Sequence, residues 1–133
     1  MSKLIEFLAA NPVDDITSEI YPSKRFADAG LKFKIKAVTG DKYSEYQKQA
    51  LVFNAKGKSE FNSKKYNELI IFNNVIEPSF VSEENIKKAG CSTPTQFLYK
   101  TLLAGEINNI VSEVQKLSGF DEDFNEFVEE AKN

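Results

Sequence analysis

At 133 residues, with eleven Phe and five Tyr but neither His nor Trp, the chain has the size of one domain that hides roughly 68% of its unfolded surface, and it lacks the commonest general base, metal ligand and pH switch among side chains. A hydrophobic fraction of 41% with 28% charged residues excludes disorder, no run reaches the ~20 apolar residues of a membrane span, and the lone Cys91 rules out an internal disulfide. The net charge of −3 is uneven: between Lys24 and Lys65 eleven Lys or Arg face four acids, a local +7 that leaves −10 for the remainder.

In chain order, Leu4, Ile5, Phe7 and Leu8 recur at helical spacing, and the pattern stops at Asn11-Pro12 because proline disfavours helix in the residue before it. The same stretch, MSKLIEFLAAN, is too short and too interrupted by Glu6 to be a secretory signal, which predicts a cytoplasmic protein. From Leu31 the period becomes two: Leu31, Phe33, Ile35 and Ala37 alternate with Lys32, Lys34, Lys36 and Val38, a strand with one buried and one wet face. ITSEIY is its predicted antiparallel partner, with PSKRFADAG as the connection. The three lysines of the wet face read as protection against edge pairing rather than as a nucleic-acid contact.

After Gly40, Tyr43, Tyr46, Ala50 and Phe53 form one helical stripe, followed by a polar loop, NAKGKSE. Asn62 is the predicted cap of the next helix, with Phe61 and Tyr66 as a hydrophobic staple. That helix is expected to run through Ile70, Ile71 and Phe72 and to end before Pro78; a strand turning at Asn73-Asn74 is the weaker alternative. A shorter helix in VSEENIKKAG is capped by Ser82, stapled by Val81 and Ile86 and closed by Gly90.

Thr93, Pro94 and Gln96 mark another helix start, with a capping box and proline at the first helical position. Phe97, Leu98 and Leu102 make its apolar stripe, and Ile107, Ile110, Val111, Val114 and Leu117 make a second. At ~100° per residue the two stripes differ in phase by very roughly 150°, so a straight helix would expose one of them. Gly105 is the predicted break. The second helix ends at Ser118-Gly119, and FDEDFNEFVEEAKN adds a terminal helix with Phe124, Phe127 and Val128 inward.

Tests for chemistry fail. TGDKYSEY and AKGKSEF lack the glycine spacing of phosphate-binding loops. Asp121, Asp123 and Asn125 mimic the start of a calcium loop, but Glu126 stands where glycine is required and Lys132 where a bidentate Glu should be. The acidic run instead suits a helix N-terminus. No catalytic, cofactor-binding or metal residue is predicted, and no cofactor; the chain is read as a non-enzyme. Residues 94–117 resemble a helix-turn-helix DNA reader in outline, but the second helix carries Glu106 and Glu113 against Lys116 only, an acidic face that phosphate would repel. Protein-protein contact is what remains. The aromatic-rich ends, with Leu4, Phe7, Phe120, Phe124 and Phe127, are the predicted partner-binding residues, and the opposed charges of the middle and the remainder suit head-to-tail oligomers.

SKRFADAGLKFKIKAVTGDKYSEY, FNSKKYNELIIFNNVIEPSF and TPTQFLYKTLLAGEINNIVSEVQKLSGF, in that order, resemble the phage tail assembly chaperones of the XkdN-like group. Arg25-Phe26 before the strand, Pro78 followed by Phe80, and Leu103-Ala104-Gly105-Glu106 leading to Ser118-Gly119-Phe120 carry the resemblance, which spans about Phe7 to Phe120. It implies a chaperone of a phage or a phage-derived contractile particle that binds the tape measure protein, keeps it soluble and helps recruit tail tube subunits. It also implies action in the bacterial host cytoplasm, absence from the mature particle, and a longer partner made by frameshifting. A structural component of the tail particle is the alternative, and a small DNA-binding regulator a more distant one. The expected fold is α+β: a mainly α-helical single domain over 1–133 with a small antiparallel β-hairpin near the N-terminus.

Overall fold

The structure, a computed structural model, describes residues 2–120. The predicted hairpin is present. Strand β1 (Thr17–Ile20) pairs antiparallel with β2 (Phe33–Lys36), placing Ile20 opposite Phe33 and Thr17 opposite Lys36. Phe33 and Ile35 point into the core and Lys34 points out, as the alternation requires, while Leu31 precedes the strand and stays exposed. The connection between the strands is not plain loop but helix α2 (Lys24–Ala29), closed by Gly30 in the left-handed conformation with its N–H on the Ala27 and Phe26 carbonyls.

A third strand completes the sheet on the other side of β2 from β1. The helix expected from the Asn62 cap to a stop before Pro78 is α4 (Ser63–Asn74), which gives way at Val75 to β5 (Val75–Glu77), paired antiparallel with β2. Two β-branched residues meeting an open strand edge are worth more there than as one further helical turn. Asn74 fixes the switch. Its amide donates to the carbonyls of Lys36 and Ala37, and its oxygen accepts from the Tyr46 hydroxyl, so the end of α4 is tied to the end of β2.

The stripe assigned to one helix after Gly40 is likewise divided. Helix α3 (Gly40–Ala50) buries Tyr46 and Ala50, but residues 51–61 form a second hairpin of β3 (Leu51–Phe53) and β4 (Ser59–Phe61). Asn54 builds its turn: its backbone N–H donates to the Lys58 carbonyl, and its side-chain oxygen accepts from the N–H groups of Lys56 and Lys58, with Gly57 at positive φ. The stretch read as a polar loop is therefore a hairpin tip.

Helix α1 (Lys3–Ala10), α5 (Glu83–Lys88), α6 (Pro94–Thr101) and α7 (Ala104–Leu117) complete the fold. Ser2, Asn62, Ser82 and Thr93 each cap a helix through the side-chain oxygen. Gln96 takes the N–H of Ser92 rather than that of Thr93, so the predicted capping box is displaced by one residue. Helix α7 lies against α4 and the β1-β2 strands, and Ile35, Ile70, Ile71, Leu98, Ile110 and Val114 form the fully buried centre. Val38 N–H donates to the Ser118 hydroxyl, which donates in turn to Val114 carbonyl, pinning the end of α7 to the end of the sheet.

The break between α6 and α7 falls at Leu102-Leu103, both extended, and not at Gly105, which is the second residue of α7. Gly105 has no positive φ, and a Cβ there would meet nothing within 4 Å. The break is held by polar bonds. Glu106, with 1% of its side chain exposed, accepts the Leu103 N–H at 2.8 Å, and its two oxygens accept Arg25 Nε and Nη2 at 2.6 and 2.7 Å and the Ser23 hydroxyl at 2.5 Å. Arg25 Nη2 also donates to the Thr101 carbonyl at 3.1 Å, the last residue of α6. Leu103 has no side-chain acceptor, so this is half a capping box, completed from outside by α2. The bond from Arg25, aided by Ser23 and the Leu103 N–H, outweighs desolvation and holds the Glu106 carboxyl at a pKa of about 2.

Two outcomes follow from this geometry. Gly105→Ala raises stability by about 0.5 kcal/mol, because alanine is the better helix residue and meets no neighbour; thermal melting checks it, and a loss of stability would restore Gly105 as the hinge. Glu106→Gln lowers stability at neutral pH by about 2 kcal/mol, the scale of bonds to a charged group. Because the folded-state pKa is depressed, this contribution is present above the unfolded value of about 4.3 and fades as pH falls toward 2. The difference in melting temperature between wild type and variant should therefore narrow over that window, and a difference constant from neutral pH to pH 2 would contradict the assignment.

Candidate partner-binding surface

Among the described residues no three His, Cys, Asp or Glu side chains gather as a metal site, and no helix is long and apolar enough to cross a membrane. The buried carboxylate, Glu106, is ionised and bonded on both oxygens, so it has neither a proton to give nor a free lone pair aimed at a substrate. A hollow of about 650 Å³ between α3, α4 and the end of β2 is edged by Lys36, Asp41, Lys42, Glu45 and Asn73. Several of its polar groups are engaged with one another: the Thr39 hydroxyl holds the Asp41 carboxyl below its usual range, Lys42 lies 3.6 Å from Glu45, and the buried Tyr46, its pKa raised by desolvation, donates to Asn74. No nucleophile is set beside a base there.

A smaller apolar slot of about 300 Å³ opens under Arg25, lined by Phe26, Phe33, Pro78, Phe80, Phe97 and Leu102. Its floor is a chain of ring contacts: Phe26 on Phe33 at 5.0 Å, Phe33 on Phe80 at 6.2 Å and Phe80 on Phe97 at 5.0 Å. Arg25-Phe26 and Pro78 with Phe80, singled out in the sequence, thus meet in one place. Their first role is to seat α2 and β5 on α6.

Among the described residues, helix α1 presents a wholly exposed apolar face. Leu4, Ile5, Phe7 and Leu8 are 52–67% exposed, and no residue of the helix is buried. At ~100° per residue the four side chains fall within an arc of roughly 160°, a continuous apolar face. Ser2 caps its start, and the Asn11 side chain donates to the Phe7 carbonyl at its end, so local bonds rather than packing define it. A second uncovered face is on the β3-β4 hairpin, where Leu51, Phe53 and Phe61 are exposed.

The predicted contact residues therefore divide. Leu4 and Phe7 stand together on α1, joined by Ile5 and Leu8 of the same stripe. Phe120 is half-exposed and belongs to a different cluster, its ring 5.1 Å from Tyr43, which meets Tyr66 at 6.1 Å. Phe124 and Phe127 lie outside the described residues. The sequence pattern assigns Phe53 to a helix stripe and Phe61 to a staple and gives Leu51 no role; the short β-prone run Leu-Val-Phe before Asn54 and the glycine at 57 were the missed hairpin signal. Phe61 does pack on Tyr66, at 5.6 Å.

The chain is 26% identical to the uncharacterized protein YqbN of Bacillus subtilis strain 168 and 25% identical to the phage-like element PBSX protein XkdN of the same strain, in each case over 96% of this chain and 91% of the relative. A crystal structure of YqbN superposes with a TM-score of 0.67, covering 91% of this chain and 99% of the other at 24% identity, which supports the fold. The profile of the phage XkdN-like tail assembly chaperone proteins matches residues 4–132. With that match over nearly its whole length, the chain belongs to the XkdN-like family of phage tail assembly chaperones.

Proposed function

We propose that this protein binds the tape measure protein of a phage or phage-derived contractile particle, keeps it soluble and helps recruit tail tube subunits, acting in the host cytoplasm and leaving before the particle is mature. The observation that carries the reading is the uncovered face of α1. An eight-residue helix none of whose residues is buried is marginal in water and gains stability from whatever covers its apolar side. A long helical client with apolar stripes offers such a cover at many points along its length. Leu4 and Phe7 are the anchors, with Phe120, Phe124 and Phe127 as further contacts. Several copies on one client, pairing the positive middle of one with the negative remainder of the next, and a frameshift-extended longer form belong to the same reading.

Burying a large apolar side chain is worth about 1.5–3 kcal/mol. Leu4→Ser with Phe7→Ser should therefore weaken capture of the co-expressed tape measure protein by at least ~10-fold, while the melting temperature stays at the wild-type value because α1 buries no residue. Unchanged capture would remove α1 from the interface. Stoichiometric recovery of the chain in purified particles, read by mass spectrometry, would favour a structural tail component instead.

A further inference from the structure

The two exposed apolar faces differ in shape and in the charge around them. On the β3-β4 hairpin Leu51 faces Phe61 and Phe53 faces Ser59 across the ladder, so Leu51, Phe53 and Phe61 share one side while Val52 and Glu60 share the other. Phe53 is 78% exposed. A two-stranded ribbon is marginal alone and gains from a cover on its apolar side. Along the strand Leu51 and Phe53 are about 7 Å apart, and along α1 Leu4 and Leu8 are about 6 Å apart, so one turn of that helix covers the patch from end to end.

Charge selects how these faces pair. Residues 48–65 hold Lys48, Lys56, Lys58, Lys64 and Lys65 against Glu60, a sum of +4, and none of the five lysines forms an ion pair with a described residue. Residues 2–15 hold Glu6, Asp14 and Asp15 against Lys3, a sum of −2. Two hairpins laid face to face bring +4 against +4, and two α1 helices bring −2 against −2, so each face repels its own kind and attracts the other. No residue of α1 is buried, so the helix does not lie on the hairpin of its own chain. The cover that fits is α1 of a second copy.

We propose that α1 of one copy lies on the Leu51, Phe53 and Phe61 face of the next, with Leu4, Ile5, Phe7 and Leu8 on the ribbon and Asp14 and Asp15 on the side of the lysines. Donor and acceptor are different faces of the chain, so the contact is head to tail, and each added copy presents a free helix or a free hairpin to another. One short helix on one short ribbon is below the size of a permanent interface, so association is weak and concentration-dependent. The contact belongs to the protein without its client, because it uses the face of α1 assigned above to that client. It rests on geometry and charge and is independent of which client the protein serves.

Sedimentation velocity of the protein alone tests it. Between ~10 µM and ~1 mM, the range of a small transient contact, the average mass of wild type should rise with concentration. Phe7→Ser on α1 and Phe53→Ser on the hairpin should each weaken this association about tenfold or more, and Lys56→Glu with Lys58→Glu should weaken it as well. All four side chains are exposed, so the melting temperature keeps its wild-type value. An equimolar mixture of Phe7→Ser and Phe53→Ser should form a 1:1 dimer that grows no further, because one intact hairpin and one intact helix remain between them. Wild type that stays monomeric throughout the range would overturn the proposal, and so would association that survives either serine variant or a mixture that stays monomeric. These readings are made without the client, so their failure leaves capture by α1 standing.

Discussion

Arg25 and Glu106 are eighty-one positions apart, and the bonds between them join the three parts of the chain that have to meet for one core to form. Arg25 stands on α2, between the first two strands. Glu106 stands in the first turn of α7, and the Thr101 carbonyl that Arg25 also binds ends α6. One guanidinium and one carboxylate thus hold the crossover of the sheet, the end of one helix and the beginning of the next. Arg25 is half-exposed and keeps part of its hydration, whereas Glu106 is enclosed. Enclosing a carboxylate is costly unless every lone pair is used, and here four donors use them. The contribution is to specificity of arrangement: with α2 displaced, Glu106 would lose three of its four donors.

The family motifs acquire a physical meaning from this. Arg25 with Phe26 and Leu103 through Glu106 are the two halves of one joint, and Pro78 with Phe80 lies in the apolar slot beside it. None is placed to act on a substrate. They serve to set two apolar stripes of opposite phase, one on α6 and one on α7, against the same interior. Such residues are needed for folding and leave the outer surface to deal with partners.

Among the described residues that outer surface has two exposed apolar faces of different kind. The face on α1 belongs to a helix defined by its own caps, so a partner is able to take it without disturbing the core. The face on the hairpin lies beside the Tyr43, Tyr66, Phe61 and Phe120 cluster and is therefore close to the end of α7. An assembly chaperone benefits from contacts carried on elements with little burial, since making and breaking them does not cost the fold.

Local pattern alone determined much of this protein. The caps at Asn62, Ser82 and Thr93, the stop at Asn11, the alternation of Phe33 and Ile35 with lysines, and the phase difference between the two stripes were legible because each depends on residues within one or two turns of one another. The exposed pair Leu4 and Phe7 was legible as a helical stripe, though its lack of a partner was not. Tertiary structure decided the rest. Val75 to Glu77 became a strand because an edge of β2 was available to it, α3 stopped at Ala50 because the hairpin began there, and the helix break moved from Gly105 to Leu102-Leu103 because Arg25 and Glu106 hold it there. For β5 and for the helix break the deciding bond comes from a residue distant in the chain, and no periodicity within a segment reports where such a residue will lie.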